Sequence, residues 1–151
     1  MAQGRMYSLI MDAATITAAK DLISFTVPAD VACILHEVNV SQESVEVSDT
    51  GAIQIHFASG VAGVGTAATP RALDDGNTIA AGGTALVNLT TDETEGNILM
   101  RRGWNVLTPF KWLPTPPAQI VVTGAGIICV RSDVAITSAV VTAEMIIELL
   151  G

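Results

Sequence analysis

Apolar and polar residues alternate with a period of two along much of the chain. Residues 21–27 place Ile23, Phe25 and Val27 on one side and Leu22, Ser24 and Thr26 on the other. In residues 31–42, Ala32, Ile34, His36, Val38 and Val40 oppose Val31, Cys33, Leu35, Glu37, Asn39 and Ser41. Residues 53–58 point Ile53, Ile55 and Phe57 inward and Gln54 and His56 outward, and Ala85, Val87 and Leu89 form one face of a further segment. A period of two is the mark of a β-strand with one covered face. Residues 97–107, 119–123, 127–131 and 136–149 read as further strands. The last of these also fits a helix face through Ala139, Ala143, Ile146 and Leu150, but the density of β-branched residues favours a strand. Turn signals separate the runs at Pro28-Ala29-Asp30 and Asp74-Asp75-Gly76-Asn77. Residues 41–51, 59–69 and 91–96 read as loops. The pattern predicts an all-β fold, an antiparallel sandwich or barrel, in one domain over residues 1–151. Residues 1–20 hold a first strand or an ordered N-terminal arm, and residues 13–20 fit a strand or a single helical turn equally well.

One stretch breaks the alternation. Residues 103–117, GWNVLTPFKWLPTPP, hold both tryptophans, Phe110 and four of the six prolines, in a chain with only 4% aromatic residues. Proline has no N–H to give to a ladder, so the segment reads as a stiff strap with Pro114 to Pro117 extended like polyproline. Two roles are open for it: a plug for the end of the core, or a partner contact as well. In the second, Trp104 anchors the strap and Phe110, Lys111, Trp112, Pro114, Pro116 and Pro117, together with Arg101 and Arg102, face a neighbouring molecule.

Composition sharpens this picture. Half of the residues are hydrophobic and only 15% are charged, against about 25% in an average soluble domain. A small domain this apolar is expected to bury surface against a second copy or an obligate partner. The net charge of −8 lacks the basic footprint of a nucleic-acid binder and disfavours an anionic membrane as partner. The charge is uneven: residues 30–95 carry ten acids and only Arg71 as a base, whereas residues 96–132 carry Arg101, Arg102, Lys111 and Arg131 and no acid. That asymmetry fits solvated loops at opposite ends of a sandwich, or complementary charge at a subunit contact. No run has the length of a membrane span or the form of a secretory signal.

Candidate chemistry is sparse. His36 and His56 fall on different strands with no third ligand type on the same face, so they read as ordinary packed or surface histidines rather than metal ligands. Cys33 and Cys129 sit in apolar runs without metal spacing and read as buried, unbridged thiols. Residues 60–65 lack the glycine order of a nucleotide loop, the Asp74–Asn77 turn lacks the ligands of a calcium loop, and Asn88-Leu89-Thr90 reads as a chance glycosylation match. No serine, histidine and acid set is suggested by spacing. The expectation is a protein that is not an enzyme and holds no metal or cofactor.

Several short motifs resemble a known family. Arg5-Met6-Tyr7-Ser8, Ile34-Leu35-His36-Glu37-Val38 with Ser41-Gln42, Thr69-Pro70-Arg71, and Gly103-Trp104-Asn105 leading to Trp112-Leu113-Pro114-Thr115-Pro116 occur in this order. Together they resemble the capsid cement or decoration proteins of tailed bacteriophages, over most of the chain though in degenerate motifs. The resemblance implies a jelly-roll-like β-sandwich, made in the host cytoplasm. It also implies a dimer or trimer that binds the major capsid protein on the outside of the shell and stabilises it, without nucleic acid, membrane or cofactor. It carries over no residue-level binding site. Two other readings stand beside it: a tail, baseplate or fibre component, and a carbohydrate-binding sandwich that uses Trp104 or Trp112 as a stacking platform.

Overall fold

A computed structural model describes residues 4–44 and 48–151. The first three residues of the expected arm and the middle of the 41–51 loop lie outside the described residues. Among the described residues, twelve strands form two six-stranded sheets in which every pairing is antiparallel. The first sheet contains β1 (Arg5–Ile16), β3 (Ala32–Gln42), β6 (Arg71–Ala72), β9 (Phe110–Trp112), β10 (Ile120–Val122) and β12 (Ile136–Leu150), in the order β10-β3-β12-β1-β6. β9 shares the outer edge of β3 with β10: it pairs with Val38 to Val40, and β10 pairs with Cys33 to Leu35. The second sheet contains β2 (Lys20–Thr26), β4 (Thr50–Gly60), β5 (Val64–Ala68), β7 (Thr84–Thr91), β8 (Thr94–Asn105) and β11 (Ile127–Ser132), in the order β5-β7-β2-β11-β4-β8.

The winding is that of a jelly roll. β1 pairs with β12, β2 with β11, β3 with β9 and β10, and β4 with β8, while the chain changes sheet from β1 to β2, β2 to β3, β3 to β4, β8 to β9, β10 to β11 and β11 to β12, apart from the insertion between β4 and β8. An eight-stranded double Greek key requires this nesting of first with last strands. β5, β6 and β7 are an insertion between β4 and β8, and they extend the sheets past β2 and β1. β1 is therefore a central strand with Tyr7, Leu9 and Met11 fully buried, not a free arm, and residues 13–16 continue it.

One apolar core fills the space between the sheets. Ile23, Phe25, Ile53, Ile55, Ile128 and Val130 enter it from the second sheet, and Leu9, Leu35, Val38, Val40, Met145 and Ile147 from the first. The last segment is a strand of 15 residues, as its β-branched density implied. On β3 the alternation changes phase: Cys33 and Leu35 are buried, and then Val38 and Val40. Ile146 pairs with Glu37 and Ile147 with Leu35, so His36 is the extra residue of a β-bulge. A bulge moves every later side chain to the other face, which corrects the expectation that Ala32, Ile34 and His36 share a face with Val38 and Val40.

The strap also departs from expectation. Phe110 and Trp112 are only 7% and 8% exposed and fill the core from β9, beside Trp104, whose indole N–H donates to the Thr108 carbonyl. Pro109 precedes this short strand and Pro114 follows it, so Phe110, Lys111 and Trp112 pair with β3 in spite of the flanking prolines. Prolines limit pairing only at their own N–H. On the strap, Lys111, Leu113 and residues 115–118 are exposed and Pro114 is half-buried. Residues 116–118 form a single 3-10 turn rather than extended backbone. Trp112→Ala and Phe110→Ala are each expected to cost about 3–5 kcal/mol of folding stability. Leu113→Ala, on the same strap, should stay within about 0.5 kcal/mol. Urea unfolding of the three variants checks this ordering.

Candidate functional site

The second sheet is covered on both faces. Ser24, Cys129 and His56 lie side by side across β2, β11 and β4 on the face turned away from the apolar core, and Asp21, Arg131 and Gln54 form the next row. Asp21 and Ser24 are three residues apart and would ordinarily face opposite ways. They share this face because Leu22 is an extra residue: Val130 pairs with Ile23 and Arg131 with Asp21. Asp21, Ser24, Gln54, His56 and Ser132 are at most 1% exposed. Leu89, Ile127 and Cys129 are buried outside the main apolar cluster and supply the apolar part of this second core.

Residues 92–95 and 61–63 form the cover. The β4–β8 pairing shifts register three times between Ile55 and Gly60, which lets its far end depart from a flat ladder. Glu93 is only 5% exposed. Its Oε1 accepts from Ser24 Oγ at 3.1 Å and its Oε2 from the backbone N–H groups of Ala62 and Gly63 at 2.9 and 2.8 Å. A Cβ on Gly63 would lie 2.4 Å from Glu93 Oε1, so the glycine permits this close approach. The Glu93 N–H donates to Asp21 Oδ2 at 2.9 Å, the Asp21 N–H to Asp92 Oδ1 at 2.8 Å, and Gln54 Nε2 to Glu95 Oε2 at 2.8 Å.

Charge inside the cluster is paired. His56 Nε2 lies 2.9 Å from Asp21 Oδ1, and its Nδ1 lies 3.3 Å from the Phe57 carbonyl. Burial by itself pushes the imidazole pKa down, but the hydrogen bond and charge of Asp21, the Phe57 carbonyl and the charge of Glu95 outweigh it and raise the value above the ordinary one. Both ring nitrogens face an oxygen acceptor. Arg131 reaches Asp92 Oδ2 at 2.6 Å, Asp133 Oδ1 at 3.4 Å and Asp21 Oδ1 at 3.6 Å. The Cys129 thiol is pushed up by burial and by the carboxylates of Asp21, Glu93 and Asp92. It is fully buried and held protonated, so this Cys, His and Asp set is not poised as a nucleophile, which needs a thiolate within reach of substrate. The ligand atoms of Asp21, His56 and Cys129 all lie within 4.8 Å of one another. That corrects the expectation that His56 has no further ligand types on its face.

The other expected features fall elsewhere. His36 is partly exposed on the first sheet, with Nε2 2.7 Å from Glu148 Oε2 and Nδ1 2.8 Å from Gln119 Nε2. Cys33 is a free, buried thiol pushed up to about 12 by burial, and Cys129 is also free. Three of the four bases between residues 96 and 132 find acids within the chain: Arg101 with Asp133 at 2.7 Å, Lys111 with Glu37 at 2.9 Å, and Arg131 as above. Hydrogen bonds from Lys111 and Asn39 hold Glu37 below the usual carboxylate range. Of the acids between residues 30 and 95, Glu37 and Asp92 are thus paired with bases of the 96–132 stretch. Arg102, exposed on β8, is in no ion pair among the described residues. The candidate interface residues divide accordingly. Arg101, Arg102, Lys111, Pro116 and Pro117 are exposed and Pro114 is half-buried, whereas Phe110 and Trp112 belong to the core.

No family model and no curated protein matches the chain. Among solved structures it is similar to the T=1 particles derived from infectious bursal virus, at 16% identity and TM-score 0.24 over 97% of this chain and 40% of that one. It is also similar to the VP2 subviral particle of infectious bursal disease virus, at 14% identity and TM-score 0.23 over 97% of this chain and 42% of that one. The chain spans about two fifths of those chains. At these TM-scores the likeness carries no argument about what the protein does.

Asp21→Ala strands the buried His56 without its partner and is expected to destabilise the fold by about 3–5 kcal/mol. Glu148→Ala removes the analogous partner of the partly exposed His36 and should cost at most about 1 kcal/mol. Denaturant midpoints of the two variants measure the difference.

Proposed function

We propose that the chain is a virion structural protein, a capsid decoration protein that docks on the outer face of an icosahedral shell and stabilises it. The motifs that resemble tailed-phage cement proteins motivate the reading. The observation that carries it is one side of the sandwich, where the β8 edge and the strap along β3 are joined by residues 105–109. Ile98, Leu99, Leu107 and Leu113 stand 50%, 39%, 49% and 64% exposed there, interspersed with Arg101, Arg102 and Lys111. Arg101 and Lys111 are paired there with Asp133 and Glu37, and Arg102 is in no ion pair among the described residues, so the side is apolar with one uncompensated cation. The strap behind it is anchored by two buried aromatic rings, so little entropy is lost when it binds. Such a side suits an apolar surface rimmed with acid on the major capsid protein, or on a second copy of the chain.

The carbohydrate-binding reading loses its stacking platform, because Trp104 and Trp112 are buried. A tail or fibre component is distinguished by copy number. Hundreds of copies per virion support decoration, and a handful supports the tail.

The test is cosedimentation of the purified protein with shells that lack it. Binding that raises the temperature of shell disruption is expected. Leu113→Asp and Arg102→Glu should each fold normally and weaken attachment roughly thirtyfold, equivalent to about 2 kcal/mol. Absence of binding, or binding indifferent to both substitutions, overturns the proposed docking side.

A further inference from the structure

We propose that Asp21, His56 and Cys129 form a binding site for one divalent transition-metal cation of the zinc class. The inference is independent of the virion reading. It begins with placement. β11 lies between β2 and β4, and Asp21 and His56 meet over it while Cys129 rises from it. One oxygen, one imidazole nitrogen and one sulfur therefore converge from three adjacent strands of one sheet, the donor mixture that zinc-type ions take.

The distances are close to those of a bound site. Bonds of roughly 2.0–2.3 Å in a tetrahedron put neighbouring ligand atoms roughly 3.3–3.8 Å apart. The three donors already lie within 4.8 Å of one another. His56 Nε2 and Asp21 Oδ1, now 2.9 Å apart, need only separate slightly as a metal replaces the shared proton.

The surrounding contacts are those of a supported ligand set. His56 Nδ1 faces the Phe57 carbonyl, which fixes the ring with Nε2 directed at the cluster. Asp21 Oδ2 is held by the Glu93 N–H. Metal-bound histidines and carboxylates are ordinarily oriented in this way by groups behind them. Glu93 reaches the cluster through Ser24, whose Oγ donates to its carboxylate at 3.1 Å.

On binding, the dication displaces to solvent whatever protons His56 Nε2 and the Cys129 thiol carry. The Arg131 guanidinium, 3.6 Å from Asp21 Oδ1, stays paired with Asp92 and Asp133. A cleft of about 270 Å³ lined in part by Lys20, Leu89 and Asp92 lies beside the cluster, whose three donors are themselves fully buried, so the ion is expected to enter during folding.

The test uses the whole chain expressed in minimal medium supplemented with cobalt, so that the ion is present during folding, and purified without chelator. Stoichiometric cobalt by native mass spectrometry and a thiolate-to-cobalt charge-transfer band in the near ultraviolet are expected. Cys129→Ala should lose the band, and Cys33→Ala, which removes the thiol of the main core, should keep it. Metal-free protein without a band overturns the proposal, as does a band that survives Cys129→Ala. Should Cys129→Ala fail to fold, X-ray absorption of the zinc-grown wild-type protein decides. One sulfur among nitrogen and oxygen ligands supports the site, and no sulfur, or no bound zinc, overturns it.

Discussion

The second sheet has no solvent face over its central strands, and that constraint shapes the rest of the molecule. β2, β11 and β4 carry Ile23, Phe25, Ile53, Ile55, Ile128 and Val130 into the apolar core. Their opposite face holds Asp21, Ser24, Gln54, His56 and Cys129, all essentially inaccessible. An antiparallel sheet commonly leaves one face wet. Here the second face is dry and polar, so every charge on it must be paired or it would cost several kcal/mol. The Asp21–His56 pair meets that requirement at the centre, Arg131 with Asp92 and Asp133 meets it toward the rim, and the backbone amides of residues 62, 63 and 93 complete it.

This arrangement gives the insertion between β4 and β8 its purpose in the fold. β5 and β7 lengthen the second sheet past β2, β6 caps the first sheet past β1, and the acidic segment between β7 and β8 lays Glu93 over Ser24. On the opposite side, the strap occupies the edge of β3 with two short strands separated by prolines. Such an edge offers little to a stray strand, which is how natural sheets limit unwanted pairing. The apolar residues that stay exposed on that side therefore form a surface for side-chain contact with a partner rather than for strand addition.

The strands themselves were legible in the sequence, because burial of one face leaves a period of two at residues 21–27 and 53–58. Three things were not legible. Bulges at Leu22 and His36 add one residue each, and nothing in the local composition marks them, so faces assigned by parity fail beyond them. The outward residues of residues 53–58 were read as solvated because half-buried sheets are the common case, whereas the cover over His56 comes from residues 92–95, far away in sequence. The acidity of that cover pointed to a loop in water, yet Glu93 is buried against three donors. One signal did exist: Cys129 and His56 are expensive or unusual on a solvent face, and their strands both alternate cleanly. In the strap, the prolines correctly marked an irregular edge, but the three residues between them still had room to pair and to turn both rings inward.

The account stands on the claim that the outer face of the second sheet is a packed core closed by residues 61–63 and 92–95. Native-state amide hydrogen exchange tests it most directly. The N–H groups of Ala62, Gly63 and Glu93, which donate to buried carboxylates, should exchange nearly as slowly as those of β2 and β11, by opening of the fold as a whole. If these three amides exchange at the rate of an open loop while β2 and β11 stay protected, the cover is not closed and the second core does not exist as described.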